Sequence, residues 1–111
     1  MKVRFLIPAQ SEVDDAVAWY DSQSRSLGIQ FLDDLDRTVR RIVAYPLAST
    51  KIEEGLRRCL LSRFPYGIIY GIDSETVIVI AVAHLHREPR YWIDRLLDSE
   101  TILKNMDTPI L

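Results

Sequence analysis

Seven consecutive apolar residues, Val77, Ile78, Val79, Ile80, Ala81, Val82 and Ala83, constrain this chain more than any other feature. Successive side chains of a strand point to opposite faces, so a strand apolar at every position must be covered on both sides. The run therefore reads as a central strand. Just before it, Tyr66, Ile68, Tyr70 and Ile72 alternate with Gly67, Ile69 and Gly71, which predicts a neighbouring strand. Asp73, Ser74 and Glu75 separate the two as a short turn and make them a hairpin. Residues 56–62 read as a further strand ahead of a Phe64-Pro65-Tyr66 joint. In it Arg57, Cys59 and Leu61 share one face while Arg58 and Leu60 share the other. Each face carries one arginine, so periodicity leaves open which side is buried.

The remaining segments supply cover for this sheet. Residues 2–7 alternate Val3, Phe5 and Ile7 with Lys2, Arg4 and Leu6, predicting a short strand ended by Pro8. Ser11 followed by Asp14 matches a capping box, and Val13, Ala16, Val17 and Tyr20 recur at helical spacing, predicting a helix over 12–23. A second helix follows residues 24–28, with Phe31, Leu32, Leu35, Val39, Ile42 and Val43 as its apolar stripe and Pro46 as its end. Asp33 with Arg37, and Asp36 with Arg40, are acid-before-base pairs four residues apart. So short a break predicts an antiparallel helical hairpin packed on the sheet. Residues 47–55 read as a polar connection. After Pro89, the residues Tyr91, Trp92, Leu96 and Leu97 predict a short last helix. Residues 99–111 read as a loose tail behind a domain of residues 1–98. The order is β-α-α-β-β-β-α, an α+β fold with a small, mainly antiparallel sheet.

A chain of 111 residues can bury about two-thirds of its unfolded surface around one core. No run approaches the ~18 apolar residues of a membrane span, and the start lacks the pattern of a secretory signal. The one cysteine, Cys59, has no internal disulfide partner. These features predict a cytoplasmic protein without membrane partners. The net charge of −2 argues against binding nucleic acid through bulk positive charge. The charge is uneven, however: residues 55–72 hold three arginines and no acid, and residues 76–87 again hold no acid. A local basic surface on the sheet is compatible with this pattern, and so are solvated arginines at strand ends.

Arg58, Arg63, Tyr66, His84 and Arg87 are the polar residues that could meet at one rim of the sheet. Cations stabilise a pentacovalent phosphate while His and Tyr move protons, so a convergent set of this kind could cleave RNA. No spacing forces that convergence. His84 and His86 lie two apart, but a catalytic zinc needs a third protein ligand and none accompanies them, so no metal site is predicted. Walker loops, dinucleotide glycine fingerprints and nucleophile elbows are absent, and no cofactor is implied. Cys59 reads as a small buried hydrophobe. Trp19, Tyr20 and Trp92 read as packing residues rather than base-stacking ones.

In these elements the chain resembles the RelE/ParE toxin superfamily. The resemblance rests on the short first strand, Ala18-Trp19-Tyr20 in the first helix, and Leu27-Gly28-Ile29-Gln30-Phe31 opening the second. In the sheet it rests on Leu56-Arg57-Arg58, Arg63-Phe64-Pro65-Tyr66, Ile69-Tyr70, Ala81-Val82-Ala83-His84, Arg87, Pro89 and Trp92. It covers residues 3–97. The resemblance implies the toxin of a type II toxin–antitoxin module, a plasmid-stabilisation protein. Such a toxin is neutralised in a hetero-oligomer by an antitoxin whose disordered segment folds over the hairpin and sheet.

Two branches of that superfamily act differently. RelE-like members are endonucleases that cut mRNA on the ribosome through several Lys and Arg residues and often a C-terminal Tyr. ParE-like members poison DNA gyrase without that catalytic set. Residues 52–103 hold no lysine, and the Ala83-His84 to Trp92 ending resembles the ParE side more. The resemblance thus points to a gyrase poison that is not an enzyme, with Arg58, Arg63, Tyr66, His84, Arg87 and Trp92 as target-binding candidates. On the ribonuclease alternative the catalytic candidates are Arg58, Arg63, Tyr66, His84, Arg87 and Tyr91. A non-toxic member that binds its antitoxin and acts as a co-repressor is the third reading.

Overall fold

The apolar run takes the position its composition demands. In the computed structural model, which describes residues 1–96, β5 (Thr76–His84) is paired on both sides, and Val77 to Val82 are all buried. Its antiparallel partner is β4 (Tyr66–Asp73), with Tyr66 opposite His84 and Asp73 opposite Thr76. The turn between them is Ser74 and Glu75, and Ser74 takes a left-handed φ of 54°. On the other side β1 (Lys2–Phe5) runs parallel to β5, from Lys2 opposite Thr76 to Phe5 opposite Val79. Beyond β4 lie β3 (Leu56–Leu60) and the edge strand β2 (Thr50–Glu53), both antiparallel to their neighbours. The five-stranded sheet has the order β1-β5-β4-β3-β2. With helices α1 (Ile7–Gln23) and α2 (Leu27–Ala44) on one face, the architecture is the expected α+β fold.

Three elements differ from the periodicity reading. Pro8 does not merely end the first strand. It sits in the first turn of α1, which starts at Ile7. The ring supplies a helical φ there, and the N–H it lacks would have had no partner anyway. Ser11 and Asp14 therefore lie inside the helix and cap nothing. The connection over 47–55 contains β2, a strand too short and polar to show alternation, whose pairing depends on β3. The expected last helix starts later than Pro89 suggests, with turns first and its onset at the edge of the described residues. Residues 88–96 make a chain of i→i+3 backbone bonds, with α-helix only from residue 95. Leu97 and the expected tail lie outside the described residues.

The helical hairpin closes through Gly28, whose N–H donates to Asp21 Oδ1 at 3.0 Å. A Cβ at Gly28 would stand 2.3 Å from that oxygen, so a larger residue would have to push the Asp21 carboxylate aside. On α2, Phe31, Leu35 and Ile42 are buried as the stripe predicts, while Leu32 is 42% exposed. The buried face instead includes Asp34 and Thr38, which an apolar stripe does not identify. Thr38 satisfies its hydroxyl on the Asp34 carbonyl. The Asp34 carboxylate accepts the backbone N–H groups of Ser62, Arg63 and Phe64 at 3.1, 2.8 and 3.2 Å. One buried side chain thereby ties α2 to the β3–β4 loop. The pairs Asp33–Arg37 and Asp36–Arg40 form at 3.0 and 2.9 Å on the exposed side.

Candidate functional site

The register decides where the strand-end residues point. Arg57 lies opposite Tyr70 and Cys59 opposite Ile68, while Arg58 lies opposite Ile69 and Leu60 opposite Gly67. The Tyr70 hydroxyl donates to the Pro46 carbonyl behind α2, and Arg41 of α2 reaches Cys59 Sγ at 3.6 Å. The Cys59 face is therefore the helix face, and Arg58 stands on the outer face. Cys59 is buried, as a small core residue. Tyr66 and His84 belong to the helix side, where the Tyr66 ring meets Phe31 at 5.0 Å and His84 at 5.0 Å. The expected set does not assemble in one place.

Two clefts result, and both border His84 and Arg87. The outer one, about 270 Å³, lies under the segment that follows β5 and is lined by Arg58, Ile69, Ala83 and Trp92 among others. The inner one, about 250 Å³, is lined by Glu12, Asp15, Trp19 and Tyr66 on the helix side. Arg63 lines neither. Its guanidinium donates to Gln30 Oε1 at 2.9 Å and lies 6.0 Å from the Phe64 ring centre. Trp92 is 5% exposed and packs in the core cluster, as does Tyr20 in part. Trp19 departs from the packing expectation, since it is 59% exposed on α1.

The His84 ring is fixed from one side by the His86 backbone N–H, which donates to Nδ1 at 3.1 Å. A neutral His84 then carries its proton on Nε2. The two imidazoles stand 5.2 Å apart, and no group of three His, Cys, Asp or Glu ligands forms among the described residues. Arg87 lies over the Tyr91 ring, its Cζ 3.9 Å from the centre.

The residues that sequence reasoning missed are Glu12 and Arg95. Glu12 Oε1 accepts the Val82 N–H at 3.0 Å and Arg95 Nη1 at 2.8 Å, and Oε2 accepts the Tyr91 hydroxyl. Val82 lies past the end of β1, so this carboxylate substitutes for a missing strand partner. No local spacing could reveal a contact spanning most of the chain. Tyr91, a catalytic candidate on the ribonuclease alternative, is held to α1 by this carboxylate. Burial, then its hydrogen bond to Glu12, push its phenol well above the ordinary value of 10. Burial likewise raises Tyr66 and Tyr20. A raised phenol contributes stability that is complete below the unfolded value and is lost as pH rises towards the folded one. The advantage of wild type over Tyr91→Phe in thermal melts should therefore shrink above about pH 10. An advantage that stays constant through pH 11 would contradict this assignment.

The family model described as "ParE toxin of type II toxin-antitoxin system, parDE" matches residues 3–89. The chain belongs to the ParE toxin family. Among solved structures, one titled "Chromosomal ParDE TA system from P. aeruginosa" superposes with a TM-score of 0.68 at 16% identity. The match covers 78% of this chain and 97% of that one, so the ParE-family fold is shared at low sequence identity. No curated protein matches. Among the described residues of this ParE-family chain no helix is long and apolar enough to cross a membrane.

Proposed function

We propose that this ParE-family toxin acts in the cytoplasm by poisoning DNA gyrase, and that a cognate antitoxin holds it inactive in a hetero-oligomer. The family match over residues 3–89 carries the reading. The arrangement of the strand ends supports binding over RNA cleavage. Arg58 and Tyr66 stand on opposite sheet faces, and Arg63 is engaged with Gln30, so a single phosphate could not meet the set a ribonuclease would use. The solved relative is titled as a ParDE toxin–antitoxin system, which supports an antitoxin here. Exposed apolar side chains on the hairpin, Trp19, Ile29 and Leu32, offer surface to a segment that folds on contact. Residues 1–98 would carry the toxin activity.

Short induction in a bacterial host tests the reading, with DNA breaks and mRNA 5′ ends scored from the same culture. Gyrase poisoning predicts trapped double-strand breaks, intact messages, and growth restored by co-expressed antitoxin. Cut messages with intact DNA would instead place the chain with the ribonucleases. Continued growth with soluble, folded protein would make it a non-toxic co-repressor.

A further inference from the structure

The outer cleft holds two guanidinium groups that form no ion pair among the described residues. Arg58 enters from β3, its stem packed across Gly67, where an added Cβ would come within 3.2 Å of the Arg58 Cγ and Cδ. Among the described residues Arg58 has no hydrogen bond, ion pair or ring contact. Arg87 enters from the segment after β5, and among the described residues its side chain makes only the contact with the Tyr91 ring, which consumes none of its N–H donors. The third arginine of the cleft, Arg90, is already paired with Glu53 at 2.5 Å. Ile52, Ile69, Ala83 and Trp92 supply apolar wall between these charges.

A cleft of about 270 Å³ has room for one or two side chains and not for a nucleic-acid strand. Glu53 and Glu88 also line it, and they would repel the successive charges of a phosphate backbone. A single carboxylate brings one charge rather than a row, and with Glu53 paired to Arg90 it meets two arginines against one acid, Glu88. It can take the free N–H donors of Arg58 and Arg87 while an adjoining apolar side chain meets Ile69 and Ala83.

We propose that this cleft binds an acidic, apolar peptide segment of a protein partner, with a Glu or Asp carboxylate held by Arg58 and Arg87. The inference rests on the reading of this toxin as one that acts by binding a protein. The test uses the purified full chain and a fluorescein-labelled peptide of alternating glutamate and leucine. Binding is followed by anisotropy, and amide shifts are followed by NMR. We expect saturable binding with shifts centred on Ile69, Ala83 and the Trp92 indole. Arg58→Gln and Arg87→Gln should each weaken it about tenfold or more, as should glutamine in place of glutamate in the peptide. Equal binding by both variants, or none at millimolar peptide, would overturn the proposal. So would arginine-dependent binding of a labelled oligothymidine that is tighter than the peptide, since the cleft would then be a nucleic-acid site. DNA breakage on induction is read without this peptide, so the gyrase reading and the peptide site can fail separately.

Discussion

Replacing Asp34 by alanine should cost this fold about 3 kcal/mol, lowering the melting temperature by about 12 to 24 °C. Asp34 is 4% exposed, and its carboxylate is the acceptor for three consecutive backbone donors, those of Ser62, Arg63 and Phe64. Hydrogen bonds to a charged acceptor contribute more than neutral ones, and the donors released in the loop are only partly reached by water. A loss of this size is a large share of the roughly 5 to 15 kcal/mol that hold a domain of this length together. Asp34→Asn should fall between the two. Its carbonyl oxygen still accepts, but its amide group presents hydrogens where the backbone N–H groups need a lone pair. Thermal and urea melts followed by circular dichroism would measure both variants. An alanine variant within about 1 kcal/mol of wild type would show that water takes over all three donors.

The second large effect is expected at Glu12. This side chain joins α1 to β5 through the Val82 N–H and to the C-terminal segment through Tyr91 and Arg95. Arg95 and Glu12 are 20% and 14% exposed at their side chains, so the pair is largely withdrawn from solvent. Arg95 also donates to the Ile80 carbonyl at 3.1 Å, a contact that Glu12→Ala would leave in place. The variant should lose about 2 to 4 kcal/mol, because the Val82 N–H loses its acceptor and a partly buried cation loses its carboxylate partner. The loss should be local before it is global. In a Trp19→Phe background only Trp92 reports, and its emission should shift to the red as residues 88–96 lift from the outer sheet face. Val82 amide exchange should quicken in parallel. An unshifted Trp92 spectrum with faster Val82 exchange would mean that Glu12 serves the strand and not the segment.

Much of the fold was legible along the chain because its causes are local. An apolar run without alternation can only be an inner strand, and Val77 to Val82 are buried on both faces as that argument requires. The stripe of Phe31, Leu35 and Ile42 placed α2, and the turn at Ser74 and Glu75 placed the central hairpin. The failures have causes that periodicity does not carry. β2 is too short and polar to announce itself and exists through its pairing with β3. Pro8 permits two readings, the end of a strand or the first turn of a helix, and tertiary packing selected the second.

The candidate site was less legible than the fold. The expected residues were identified by type, but type says nothing about which sheet face a side chain occupies. One residue of register moves Arg58 from one face to the other, and its strand carries an arginine on each. The five-residue set therefore divided: Arg58 went outside, Tyr66 inside, Arg63 to Gln30, and His84 with Arg87 to the border of both clefts. By itself the sequence determined the helical hairpin, the central strand pair and the likeness to a toxin superfamily, all through local pattern and short motifs. Only the tertiary structure decided the parallel seat of β1 beside β5, the face of Arg58 and the joining of Glu12 to Tyr91 and Arg95. Each of those depends on which distant segments pack together, and no spacing along the chain records that choice.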